Sequence, residues 1–134
     1  MSQIPKVLIV EDDGLLLKAM QLQFERSGFK VRAATDGEQA LKQLKTWIPS
    51  AVVLDILMPK KDGFEVLEAI KNNPVLKGMP VIIASNLSRE KDQVKGLKLS
   101  AAEYIVKSDL SLAELVSKTA YHIGMSAHGR KSVA

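Results

Sequence analysis

The sequence predicts an α/β protein with one doubly wound, five-stranded parallel sheet and helices on both faces. Three observations predict it. Apolar runs of strand length recur five times along 134 residues. Between them lie segments whose apolar residues fall three and four apart, the helical period. Three of the runs, at 7–10, 51–54 and 81–84, are nearly continuous in apolar residues, as strands covered on both faces require. Such alternation gives parallel strands joined by right-handed crossovers, with an expected strand order of 2-1-3-4-5.

The elements follow in chain order. Residues 7–10 form the first strand, and residues 14–27 the first helix, with Leu16, Leu17, Met20 and Phe24 on one face and Gly28 as its stop. Residues 30–34 are the second strand. Asp36 caps a helix expected to reach Ile48, with Ala40, Leu41 and Leu44 inward and Pro49 beyond its end. Residues 51–54 are the third strand, followed by a helix over 63–72 with Val66, Leu67 and Ile70 inward. After the fourth strand at 81–84, Ser88 opens a weaker helix with Val94 and Leu97 expected inward. Residues 103–106 are the fifth strand. Ser111 caps the last helix, Glu114 stands at the capping-box position, and Leu112, Leu115, Val116, Thr119 and Ile123 form its stripe. The final GMSAHGRKSVA reads as a frayed end. The expectation is one domain over 1–134, with its core at about 6–124 and a flexible tail over 125–134.

Composition excludes several classes. There is no cysteine, so disulfides and thiolate metal sites are out, and a reducing, cytoplasmic location is expected. No apolar run approaches the roughly 20 residues that span a bilayer, so no membrane is expected. The opening MSQIPKVLIVEDD lacks a signal-peptide layout, because its apolar run is short and ends in acids. The net charge is +4, but the lysines are scattered among acids, and aromatics are only 4%, too few for a stacking platform. Direct nucleic-acid binding is therefore not expected.

In open α/β sheets, ligands bind beyond the carboxyl ends of the strands, near the switch point between strands 1 and 3. Four strands of this chain deliver polar groups to that rim: Glu11 and Asp12 after strand 1, Asp55 after strand 3, Ser85 after strand 4 and Lys107 after strand 5. Each alone could merely end a strand, but all four together point to a site. Clustered carboxylates repel unless a cation is shared. An all-oxygen donor set without histidine or cysteine suits Mg²⁺. A carboxylate beside such an ion can accept a phosphoryl group, with Lys107 as the cation and Ser85 as a hydroxyl donor.

The segments LIVEDD, VVLDILMPKKDG, PVIIAS and EYIVK resemble the receiver domain of bacterial two-component response regulators, of the single-domain, chemotaxis type, over about residues 6–124. The resemblance implies a flavodoxin-like fold and a phosphorylation-activated switch, a signalling domain rather than an enzyme. It implies that Asp55 accepts phosphate from a sensor histidine kinase or a phosphotransfer protein. Asp12, Asp55 and the backbone carbonyl of Leu57 would ligate Mg²⁺, with Glu11 acting through water. Ser85 and Lys107 would hold the phosphoryl oxygens, and Tyr104 would turn inward as the hydroxyl residue moves. In receivers the side chains two positions after the acceptor and two after the hydroxyl residue flank the path of hydrolytic water. Here these are Leu57 and Leu87, so a long-lived phosphorylated state is expected. The output surface would be helix 4, strand 5 and helix 5, where Lys91, Lys95, Lys98, Tyr104 and Lys118 suggest an acidic downstream partner, with a homodimer through the same face as a second expectation.

One residue departs from the pattern. The family carries proline after the strand 5 lysine, with a cis bond; this chain has Ser108. A cis bond before a residue other than proline costs ~2.5–4 kcal/mol. The expectation leans to cis, because Lys107 must still aim at the phosphate. Other residues read as local structure: Asp13 as a helix-start acid, Asp62 as a cap, Pro59 as a loop stiffener, Trp47 as packing, and His122 and His128 as surface histidines. Competing functions are weaker. An Mg²⁺-dependent phosphatase would need a second Asp two residues after the nucleophile, where Leu57 stands. A dinucleotide-binding unit would need glycines where the first loop reads EDDG. A receiver piece of a larger DNA-binding regulator stays open as an alternative.

Overall fold

The computed structural model describes residues 4–58 and 62–133, with side chains through Ser126. Pro59 and the side chain of His128 lie outside the described residues. The elements are β1 (Lys6–Val10), α1 (Gly14–Arg26), β2 (Lys30–Ala34), α2 (Gly37–Leu44), β3 (Ala51–Leu54), α3 (Gly63–Lys71), β4 (Val81–Ser85), α4 (Glu90–Lys98), β5 (Glu103–Val106), a 3-10 turn (Lys107–Asp109) and α5 (Leu112–Val133). The sheet order is β2-β1-β3-β4-β5, every pair parallel, as the alternation predicts.

Alternation along the central strands divides the core in two. Leu8, Val10, Val52, Leu54, Val81 and Ile83 face α2 and α3, where Ala40, Leu44, Val66, Leu67 and Ile70 meet them. Val7, Ile9, Val53, Ile82 and Ile105 face α1 and α5, where Leu17, Met20, Phe24, Leu115 and Val116 complete the layer. Phe24 and Phe29 pack edge to face at 5.0 Å across the α1–β2 turn, where Gly28 takes φ +93°.

The caps expected at Asp36, Asp62 and Ser111 form, and Asp13, expected only as a helix-start acid, is itself the cap of α1. Asp13 accepts from the Leu15 and Leu16 amides, Asp36 from Gln39, and Asp62 from Glu65. Ser111 accepts from the Glu114 amide while Glu114 accepts from the Ser111 amide, the reciprocal capping box.

Four expectations are corrected. Helix α2 ends at Leu44 rather than Ile48, because the chain turns there: the Thr46 and Trp47 amides both donate to the Gln43 carbonyl. Trp47 then packs on the core with the Arg32 guanidinium 4.9 Å from its ring, and Ile48 is left exposed. Helix α4 starts at Glu90 rather than Ser88, with no side-chain cap. Val94 and Leu97 point outward, 42% and 53% exposed, because α4 meets the sheet through Asp92 and Gly96 instead. Helix α5 continues to Val133, through the segment read as a frayed end, and Ser126 Oγ donates to the Gly78 carbonyl at 3.1 Å.

Candidate functional site

The carboxyl edge of the sheet gathers the expected side chains. The ladder between β1 and β3 runs on past Leu54: the Asp55 amide donates to the Val10 carbonyl at 3.0 Å, so Glu11 and Asp55 leave adjacent strands side by side. Glu11 and Asp55 are buried and Asp12 is exposed, and carboxylate oxygens of all three lie within 4.8 Å of one another. The Lys107 ammonium lies 2.9 Å from Asp55 Oδ2 and also pairs with Glu11 Oε1. The Glu11 contact is ionic without hydrogen-bond alignment, and Oε1 has no hydrogen-bond partner of its own.

The site's electrostatics follow from burial and pairing. Burial pushes the Glu11 carboxyl above its ordinary value, and the nearby Asp55 charge adds to the rise; Lys107 and the Asp13 amide oppose it. Burial also acts to lower the Lys107 pKa, but its pairing with Glu11 and Asp55 prevails, so the ammonium is held above its ordinary value and stays charged.

Ser85 closes β4 and is fully buried. Its oxygen accepts from the Leu87 amide at 3.2 Å, and its hydroxyl also interacts with that of Tyr104. Asp55 Oδ1 accepts from the Leu57 amide at 3.2 Å in the same manner. Leu87 is thereby tied at both ends, since its carbonyl accepts from the Tyr104 hydroxyl at 2.8 Å. Tyr104 stands inward and half-buried, packed against the core; burial raises its pKa. The two leucines differ: Leu57 is 54% exposed at the rim, whereas Leu87 packs against the core.

The Lys107–Ser108 bond is trans, as no cis peptide occurs among the described residues, and this corrects the lean to cis. The reason is local. Lys107–Asp109 wind into a 3-10 turn directly after β5, and that turn aims the ammonium at Asp55 without a cis bond.

Several residues of the expected output face are already engaged. The Lys95 ammonium lies 4.4 Å from the Phe64 ring, bridging α4 to α3. Lys118 donates to Glu103 at 2.7 Å, and His122, half-buried rather than free on the surface, contacts the other Glu103 oxygen at 2.8 Å. Lys91 and Lys98 are exposed. Sequence reasoning missed Asp92 and Gly96 as the contact stripe of α4; their i, i+4 spacing was visible, but neither is apolar enough to mark a buried face.

Against known proteins, the response regulator receiver domain family matches residues 7–120. The chain is 37% identical over 102 residues to the alkaline phosphatase synthesis transcriptional regulatory protein PhoP of Bacillus subtilis, covering 76% of this chain and 42% of that protein. The chain spans about half the length of the curated relatives it matches. Among solved structures, a receiver domain of the Francisella response regulator 1452 superposes with TM-score 0.83 at 30% identity, over 91% of this chain and 98% of that one. The Mn(2+)-bound form of response regulator Rcp1 superposes with TM-score 0.76 at 30% identity, over 84% and 88%. The fold and the rim therefore define a signalling domain of two-component systems. The chain belongs to the response regulator receiver domain family.

Proposed function

We propose that this chain is a phosphorylation-activated switch in which Asp55 takes a phosphoryl group from a sensor histidine kinase or a phosphotransfer protein. The observation that carries the reading is the buried Asp55 carboxylate 2.9 Å from the Lys107 ammonium, with Glu11 and Asp12 beside it. An Asp55 oxygen attacks phosphorus as the bond to the donor's histidine nitrogen breaks, and that nitrogen leaves with a proton. Lys107 follows the charge as it moves onto the phosphoryl oxygens, and the Ser85 hydroxyl turns to donate to one of them.

The donor set fits Mg²⁺: three carboxylates within 4.8 Å, with no nitrogen or sulfur ligand among the described residues. Asp12, Asp55 and the Leu57 carbonyl would hold it, with Glu11 acting through water. When bound, Mg²⁺ neutralises phosphoryl oxygens and offsets the mutual repulsion of the acids. That the similar structure of Rcp1 is a Mn(2+)-bound form supports a divalent cation for this chain as well.

Phosphorylation would be read at the face of α4, β5 and α5, through Ser85, Leu87 and Tyr104. Exposed Val94 and Leu97 beside Lys91 and Lys98 give that face an apolar centre with a basic rim, which suits an acidic partner or a second copy. The relative PhoP is a transcriptional regulatory protein, so a second reading makes this chain the receiver part of a DNA-binding regulator. A cytoplasmic location fits a kinase-fed switch, and no helix among the described residues is long and apolar enough to cross a membrane.

The test is incubation with Mg²⁺ and acetyl phosphate, then intact mass and borohydride trapping. The expected result is one phosphoryl group on Asp55. No acyl phosphate, or one on another residue, would overturn the reading.

A further inference from the structure

Helix α4 rests on the sheet through its smallest residue. A Cβ built on Gly96 would lie 2.7 Å from Ile83 Cδ1 and 3.1 Å from Tyr104 Cδ2. The other buried residue of α4, Asp92, sits one turn earlier and is held by Arg89 at 3.0 Å. The Tyr104 ring therefore occupies space that any side chain at 96 would claim. Ile83 cannot cede that space without cost, because it is fully buried in β4 between Leu54 and Tyr104. Tyr104 is half-buried on the edge strand β5, so less packing resists its displacement. Of the two neighbours, the ring is the one that gives way.

We propose that Gly96 is a positioning residue whose missing side chain holds open the inward seat of Tyr104, so that a methyl group at 96 crowds the ring outward and strains its hydrogen bond to Leu87. The consequence for signalling rests on the phosphoacceptor reading above. The Leu87 amide donates to Ser85 Oγ and its carbonyl receives Tyr104, so Leu87 joins the rim of the site to the outer face. With the seat filled, Asp55 is still modified but β5 no longer reports it.

The test is nitration of the whole chain by tetranitromethane, mapped by peptide mass. Tyr121, 62% exposed, is the internal reference. Ile83→Val removes Cδ1 without filling the seat. Wild type and Ile83→Val should modify Tyr121 and spare Tyr104. The double variant Ile83→Val, Gly96→Ala relieves the isoleucine clash and keeps the clash with the ring, and should raise the Tyr104-to-Tyr121 ratio several-fold. Labelling of Asp55 by acetyl phosphate and Mg²⁺ should persist in all three. A double variant that spares Tyr104 overturns the proposal. So does equal exposure in Ile83→Val alone, since the effect would then be loosening of the core. Failure of wild type to take up phosphate would instead sink the phosphoacceptor reading and leave the nitration result standing.

Discussion

Gly63 presses its α-carbon against the backbone of Asp55: a Cβ at 63 would lie 2.3 Å from the Asp55 carbonyl oxygen and 2.6 Å from Ile56 Cα. The Gly63 amide also donates to the Ile56 carbonyl at 3.0 Å. The first turn of α3 thus props Asp55 from behind, and backbone cannot rotate aside as a side chain would. Gly63→Ala should destabilise the fold by about 1–3 kcal/mol, the range for overpacking, and should slow phosphoryl uptake by displacing Asp55. Urea unfolding and acetyl phosphate labelling check both, and a variant equal to wild type in both would refute the account.

Ser100 carries φ +70°, the one described residue other than glycine in the left-handed region. It stands just past α4, where its amide donates to Leu97 and the Ala101 amide to Gly96, the paired bonds of a Schellman ending. Glycine occupies that conformation without the Cβ penalty. Ser100→Gly should therefore stabilise by about 1 kcal/mol, visible as a higher urea midpoint. A lower midpoint would show that the serine has a compensating role.

Asp55→Asn should abolish acyl phosphate formation and keep the fold. It removes the nucleophile and one charge from the acid cluster, while Lys107 keeps its pairing with Glu11. Circular dichroism should be unchanged. Undiminished labelling at position 55 would end the assignment.

Leu57 and Leu87 are proposed to slow loss of the phosphoryl group, because neither can orient an attacking water. Their unequal exposure refines the expectation. Leu57→Asn should shorten the half-life several-fold, and Leu87→Glu should add less, because Leu87 is packed on the core. Decay after removal of acetyl phosphate measures this. Equal half-lives in wild type and the double variant would refute it.

Glu103 ties β5 to α5 through Lys118 and His122. Its modest burial acts to raise its pKa, but the hydrogen bonds from Lys118 and His122 outweigh that, and the carboxyl is held below its ordinary value near 4.5. A depressed folded pKa means stability that is present above the ordinary value and lost as pH falls through the lowered one. The urea midpoint of wild type should exceed that of Glu103→Gln at pH 7 by a small margin, since the partners are partly solvated. The margin should vanish in acid below the carboxylate range, and a margin that persists there would contradict the ion-pair account.

Most of the rim was legible in the sequence, because a residue that ends a buried strand has only one place to go. Glu11, Asp55, Ser85 and Lys107 needed nothing beyond strand length and direction. The caps at Asp36, Asp62 and Ser111 were legible for a similar reason, since each depends on residues within one turn. What escaped depended on contacts remote in sequence. The outward turn of Val94 and Leu97 follows from Gly96 fitting against Tyr104, and no periodicity reveals a buried stripe made of glycine and aspartate. The trans bond at Ser108 depends on how a 3-10 turn aims one ammonium across the sheet. The early end of α2 depends on where Trp47 packs and on Arg32 from β2 lying over its ring.

The rim is assembled from strand ends far apart in sequence, with Glu11 near its start and Lys107 late in the chain. During synthesis the acids emerge from the ribosome well before the ammonium that pairs with them, and β5 must dock on β4 before the ammonium is aimed. A nascent or half-folded copy therefore presents carboxylates without their cationic partner, which on the proposed reading makes it a poor substrate for a kinase. The geometry of the proposed switch would then withhold it from unfinished molecules, so that uptake of phosphate would mark a completed fold.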